Sequence, residues 1–214
     1  MEEKRVKKKG ERVLKNDYSK MSNITQKQVK IFFPFTESYS SKLTASIISK
    51  KSGIPQQTVS RQLNEAVKQN LVNYIIDGRN KLFYLNLGKE STKNILTIAE
   101  SQKALYFGLK NKRIMIILNE ILNLCDALII FGSYASGKAD KESDIDIVIL
   151  NGKEEKIKKL MEKQPFKIHR QFATLNVFDK ILKSGNALAI EIRNNHILFG
   201  NISKIISIFM RAQK

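Results

Sequence analysis

Residues 127–150 read ALIIFGSYASGKADKESDIDIVIL, two apolar runs around a polar loop. The first run, Ala127 to Phe131, has the pattern of a buried strand. It breaks at Gly132-Ser133, where a residue without a Cβ lets the backbone approach a phosphate closely. The second run carries Asp144 and Asp146 at i and i+2. Those positions share one face of a strand, so the carboxylates project together while Ile145, Ile147 and Ile149 point into a core. Paired carboxylates repel unless a cation lies between them. A phosphate-approach turn beside a hard-cation site describes a pocket for a nucleotide with Mg²⁺ or Mn²⁺.

Gly132 to Lys138 also fits G-x-x-x-x-G-K, the phosphate loop of many nucleotide-binding proteins. That loop needs a Ser or Thr hydroxyl next, and the residue is Ala139. The stretch from Ala139 to Ser143 is short and charged, where such a loop would open a long helix.

The segment resembles instead the minimal nucleotidyltransferases of the DNA polymerase β superfamily. Gly132, Ser133, Asp144 and Asp146 match that pattern residue by residue, and Ser143-Asp144-Ile145-Asp146 has the commonest form of its second half. The resemblance implies nucleotidyl transfer from a nucleoside triphosphate. Gly132 and Ser133 would meet the triphosphate, and Lys138 would add a positive charge. Asp144 and Asp146 would be the catalytic carboxylates and the ligands of Mg²⁺ or Mn²⁺. Two departures weigh against full activity. The family's third carboxylate lies on a later strand, here residues 166–175, which contains no Asp or Glu. Asp179 and Glu191 fall in helical stretches, whereas His169 or Gln171 could face the pocket. Ser136 also stands where close relatives often carry Arg. The competing expectation is therefore a DNA-binding transcriptional regulator with a catalytically silent nucleotidyltransferase-like domain.

Upstream, residues 23–88 have the order of a winged helix-turn-helix. An apolar-periodic helix spans 24–33 and ends near Pro34. A second spans 43–51, with Leu43, Ile47 and Ile48 on one face. Gly53-Ile54-Pro55 turns the chain. A third helix, 56–70, buries Val59, Leu63 and Val67. Strands at 72–76 and 81–86 flank Asp77-Gly78-Arg79-Asn80, a hairpin signal. The order resembles winged-helix domains, whose third helix enters the major groove. Its exposed face offers Gln56, Gln57, Thr58, Ser60 and Arg61, and the wing offers Arg79 and Lys81, all able to contact bases or phosphates.

The predicted architecture is mixed α/β (α+β). A basic arm occupies 1–22, the winged helix 23–88, a helical linker 89–124 and a nucleotidyltransferase-like domain with a mixed sheet and flanking helices 125–214. Ser91 is a candidate cap for the linker's first helix, and Asn111 a candidate break. The domain alternates strands at 127–131, 144–150 and 167–175 with helices, around a short segment at His196–Phe199.

The net charge is +18, and both parts of the chain are basic: residues 1–90 carry 18 basic against 8 acidic residues, and residues 91–214 carry 20 against 12. A polyanionic partner such as DNA fits both. No apolar run reaches membrane-spanning length, and the N-terminal residues lack the apolar core of a signal peptide. The lone cysteine, Cys125, predicts a small buried side chain in a reducing, cytoplasmic setting. His169 and His196 lack metal-ligand spacing and predict structural or surface roles. A second copy of the chain or a small helical protein are the protein partners the sequence leaves open.

Overall fold

The computed structural model describes residues 26–140, 142–162 and 167–212; the basic arm expected at 1–22 lies outside them. The chain begins with α1 (Gln26–Lys30), α2 (Phe33–Thr36), α3 (Ala45–Ser52) and α4 (Gln56–Lys68), followed by β1 (Val72–Asp77) and β2 (Asn80–Leu85). The helix expected over 24–33 is thus two short ones. Pro34 lies in the first turn of α2, where its missing N–H costs no bond. Thr44 caps α3 by accepting a hydrogen bond from the Ile47 N–H, and Gly53 ends that helix at φ 68°.

Leu43, expected on the helix face, lies outside α3 and bridges to the wing. Its N–H donates to the Phe83 carbonyl at 2.9 Å, and the Phe83 N–H donates back at 2.8 Å. Of the expected apolar trio Ile48 alone is fully buried, and Ile47 is 40% exposed. In α4 the buried residues are Val59, Leu63 and Ala66, with Val67 only partly covered. Four helices, the last the longest, followed by a hairpin that Leu43 extends give residues 26–85 the arrangement of a winged helix.

The chain continues through α5 (Glu90–Lys110), α6 (Lys112–Leu122), β3 (Ala127–Phe131), α7 (Gly132–Ser136), β4 (Ile145–Leu150), α8 (Glu154–Met161) and β5 (Ile168–Ala173). It closes with α9 (Leu175–Ser184), α10 (Ala187–Asn194), β6 (Ile197–Gly200) and α11 (Ile202–Ala212). Ser91 lies inside the first turn of α5, and Lys89 holds the cap position without a side-chain bond. Asn111 does separate α5 from α6.

The second sheet has the order β5-β4-β3-β6. β4 runs parallel to β5 and antiparallel to β3, and β3 runs antiparallel to β6. The segment at His196–Phe199 therefore supplies an edge strand. Both faces of the sheet are covered. Ile129, Val148 and Leu150 join a core with Phe178, Ile205 and Phe209 that is continuous with Phe35 and Leu63 of the winged helix. Leu128, Ile130 and Ile147 join a second core with Ile117, Leu118 and Ile157. Cys125 is partly rather than fully buried; burial, with Asp126 beside it, pushes its thiol up to about 11 and leaves it inert.

α5 packs between the winged helix and the sheet, and a buried polar network crosses it there. The Tyr39 hydroxyl donates to Glu100 Oε1 at 2.9 Å, and His196 Nε2 lies 3.0 Å from the same oxygen. His196 Nδ1 lies 2.7 Å from the Ile192 carbonyl oxygen. Tyr39 is 1% exposed, and Glu100 and His196 are fully covered. The ring of Phe209 packs 4.7 Å from His196 and 5.5 Å from Tyr39, centroid to centroid. Burial pushes the Glu100 carboxyl up, but Lys103, His196 and Tyr39 together outweigh it and hold the group below its usual value of 4.5. The same burial, with Glu100 beside it, raises the Tyr39 hydroxyl well above its ordinary range.

A depressed folded value means Glu100 stabilises the fold above its unfolded value, and that contribution is lost as pH falls through the folded one. Removing one partner of a buried charged network costs about 3 kcal/mol. Urea unfolding of E100A should show that loss at pH 7, and the gap to the wild type should narrow as the pH is lowered below the usual Glu range.

Candidate nucleotide and metal site

The end of the β3–β4 pair sets the site. Phe131 is the last residue of β3 and pairs with Asp146, so the chain reaches Gly132 directly beside that carboxylate. Gly132 has φ +68°, and an added Cβ would overlap the Asp146 carboxylate oxygen. Two separate reasons thus demand glycine: a left-handed backbone and the absence of room.

α7 is only five residues long, and Gly137 ends it at φ 73°. The chain then folds back. The Ser133 carbonyl accepts the N–H groups of Lys138 at 3.0 Å and Ala139 at 3.1 Å, and the Ser136 hydroxyl at 3.1 Å. A short helix closed on itself is not the long helix that a phosphate loop opens, in keeping with Ala139. Ser133 is half-buried at this turn, and the Lys138 side chain is exposed.

The loop entering β4 is tied by Ser143. Its hydroxyl donates to Asp140 Oδ1 at 2.8 Å and accepts the Asp140 N–H at 2.9 Å, and the Glu142 N–H donates to the same carboxylate at 3.0 Å. The Ser143 bond, with the backbone donors behind it, lowers the Asp140 pKa. The serine of Ser-Asp-x-Asp therefore fixes the chain just ahead of Asp144.

Asp144 precedes the first residue of β4, and Asp146 lies in its first turn of pleat. Their side chains are 31% and 30% exposed. They converge on one object, the imidazole of His169. Its Nε2 lies 3.5 Å from Asp144 Oδ2 and its Nδ1 lies 3.3 Å from Asp146 Oδ1. The register explains this: β5 runs parallel to β4 with His169 opposite Asp146, which places both on one face of the sheet. The two carboxylates thus flank one imidazole, each against a different ring nitrogen, and Asp144 and Asp146 are the oxygen donors at this end of the sheet that could meet a divalent cation. Among the described residues no trio of His, Cys, Asp and Glu is already arranged to hold a metal ion.

A cavity of about 690 Å³ opens beside the pair, lined by Phe131, Asp146, His169, Gln171, Lys158 and Glu191 among others. Glu191 lies on α10 and Asp179 on α9. Asp179 pairs with Lys183 at 2.6 Å and with Arg211 at 3.8 Å, so it is engaged within the helical layer. His169 was legible only as a residue able to face the pocket; its register against Asp146 is a long-range feature.

The family model described as "Nucleotidyltransferase domain" matches residues 113–199. The match covers Gly132, Ser133, Asp144, Asp146 and His169. No curated protein matches the chain. The solved structure of MepR, a transcription regulator of the Staphylococcus aureus multidrug efflux pump MepA, is similar at 18% identity and a TM-score of 0.33, covering 50% of this chain and 84% of that chain. No helix among the described residues is long and apolar enough to cross a membrane.

The residues expected to meet DNA divide in two. Gln56, Gln57 and Arg61 on α4 and Arg79 on the wing are exposed, whereas Thr58 and Ser60 are half-buried. Lys81 turns inward. Its Nζ donates to Asn64 Oδ1 at 2.9 Å and lies 3.9 Å from the Tyr74 ring centre, so it braces the wing against α4.

Substituting G132A forces a Cβ into the left-handed region, at a cost of about 1–2 kcal/mol, and displaces Asp146. Urea unfolding of G132A should show at least that loss relative to the wild type.

Proposed function

We propose that the chain binds a nucleoside triphosphate with a divalent cation at Gly132, Ser133, Asp144 and Asp146, and transfers a nucleotidyl group to an acceptor hydroxyl. One observation carries the reading: two carboxylates stand side by side at the end of β4, next to a glycine whose missing Cβ leaves room, within the stretch that matches a nucleotidyltransferase family model. Nucleotidyltransferase domains generally use divalent metals; when bound, the cation would neutralise triphosphate charge and orient the α-phosphate. Asp144 and Asp146 would hold it. Gly132 would admit the triphosphate, Ser133 would donate to a phosphate oxygen, and Lys138 would swing over from its exposed loop. The acceptor oxygen would bond to the α-phosphorus as the bond to the α–β bridging oxygen breaks and pyrophosphate leaves. Positioning and charge neutralisation would supply most of the rate. The winged helix would hold DNA through Gln56, Gln57 and Arg61 on α4 and Arg79 on the wing, and the basic surface would make that binding steeply salt-dependent.

His169, standing between the carboxylates where an acidic third group would complete the set, favours a second reading: nucleotide binding by a regulator without turnover. Incubation with labelled nucleoside triphosphates, Mn²⁺ and candidate acceptors separates the two. Transfer that falls at least about 100-fold in D144N and again in D146N supports the enzyme. Nucleotide-dependent thermal stabilisation without transfer to any acceptor supports the silent regulator, and neither signal in the wild type would end both. DNA binding should weaken in R61A and stay unchanged in the double Asp variant.

A further inference from the structure

We propose that the cleft between α5 and α7 is a second ligand site, which takes a nucleoside monophosphate without a metal. A cavity of about 550 Å³ opens there, within the size range of small-molecule sites. It shares no lining residue with the cavity beside the carboxylates. The register separates the two. Asp146 pairs with Phe131 and faces the side of the sheet that carries the first core. Ile197, which lines the second cavity, pairs with Ile130, and both belong to the core on the other side. The site therefore stands independently of the carboxylate reading.

The lining combines cations with aromatic rings. Lys103 and Lys110 stand at i and i+7 on α5, on one face of the helix. Between them Phe107 is buried, its ring 6.4 Å from that of Tyr134 on α7, and Tyr106 is 60% exposed. Lys110 Nζ lies 4.4 Å from the centre of the Tyr106 ring. A cation beside an open aromatic face is the arrangement on which bases stack while their phosphates are neutralised. Lys103 Nζ is held 3.4 Å from Glu100 Oε2, which fixes it at the wall and leaves its other hydrogens for phosphate oxygens. Asn111 donates Nδ2 to the Phe107 carbonyl at 2.9 Å, which leaves Oδ1 to accept from a base amino group. Asp140, the one carboxylate among the described lining residues, is taken up by the Ser143 hydroxyl and the Glu142 N–H. Inorganic phosphate has no use for the rings, and an apolar molecule has none for the lysines; a nucleotide uses both.

Calorimetry of the full chain with adenosine 5′-monophosphate, in a chelator that removes divalent cations, tests this. The wild type should bind one equivalent. Y106A should lose about tenfold or more in affinity, and K110M should fall in the same direction. The D144N and D146N double variant should bind as the wild type does. Both Tyr106 and Lys110 are exposed, and circular dichroism confirms that their variants are folded. An oligonucleotide with the same 5′-phosphorylated end tells a strand terminus from the free nucleotide, and binding of either sustains the site. Inorganic phosphate binding as tightly as the nucleotide overturns the role of the rings. Binding that disappears in the double Asp variant but survives Y106A and K110M puts the nucleotide in the carboxylate cleft and overturns the second site, as does no binding by the wild type.

Discussion

A carboxylate cannot be left in the middle of a sheet covered on both faces, because burying an uncompensated charge costs far more than a strand pairing returns. β4 meets that constraint by position. From Ile147 onward every residue is buried, and the two acidic residues sit at the open end where water still reaches them. That end is also where β3 stops and the chain turns at Gly132. The site is thus the one place along β4 at which charge, a tight turn and access coincide. The helices above and below the sheet follow from the same demand, since they cover what the strand leaves apolar.

The parts of this arrangement written into contiguous residues were legible beforehand. The apolar runs flanking Gly132-Ser133 gave β3 and β4, and the i, i+2 spacing of Asp144 and Asp146 gave their common face. Asp77-Gly78 marked the wing hairpin, and Gly53 and Pro55 marked the turn between helices. Each of these is a local preference that the tertiary structure leaves intact.

What escaped the sequence depends on which distant segments meet. Leu43 looks like a helix residue by spacing, yet pairing with Phe83 claims its backbone. His196–Phe199 is too short to announce a strand, but β3 supplies its partner. Glu100 in a long helix looks like surface, and only the arrival of Tyr39 and His196 makes it buried. His169 acquires its meaning from a parallel register that no local pattern encodes. Ser91 had the chemistry of a cap but lies within the helix, where the start is set by packing of α5.

The Tyr39–Glu100–His196 network bears on how the two halves of the chain can work together. It joins a residue of the winged helix, one of α5 and one next to the β6 edge strand around a single carboxylate, inside an apolar core that runs unbroken from one half to the other. A winged helix fastened this way is not a module swinging on a tether. The join therefore holds α4 and the wing at one distance and one bearing from the Asp144–Asp146 cleft.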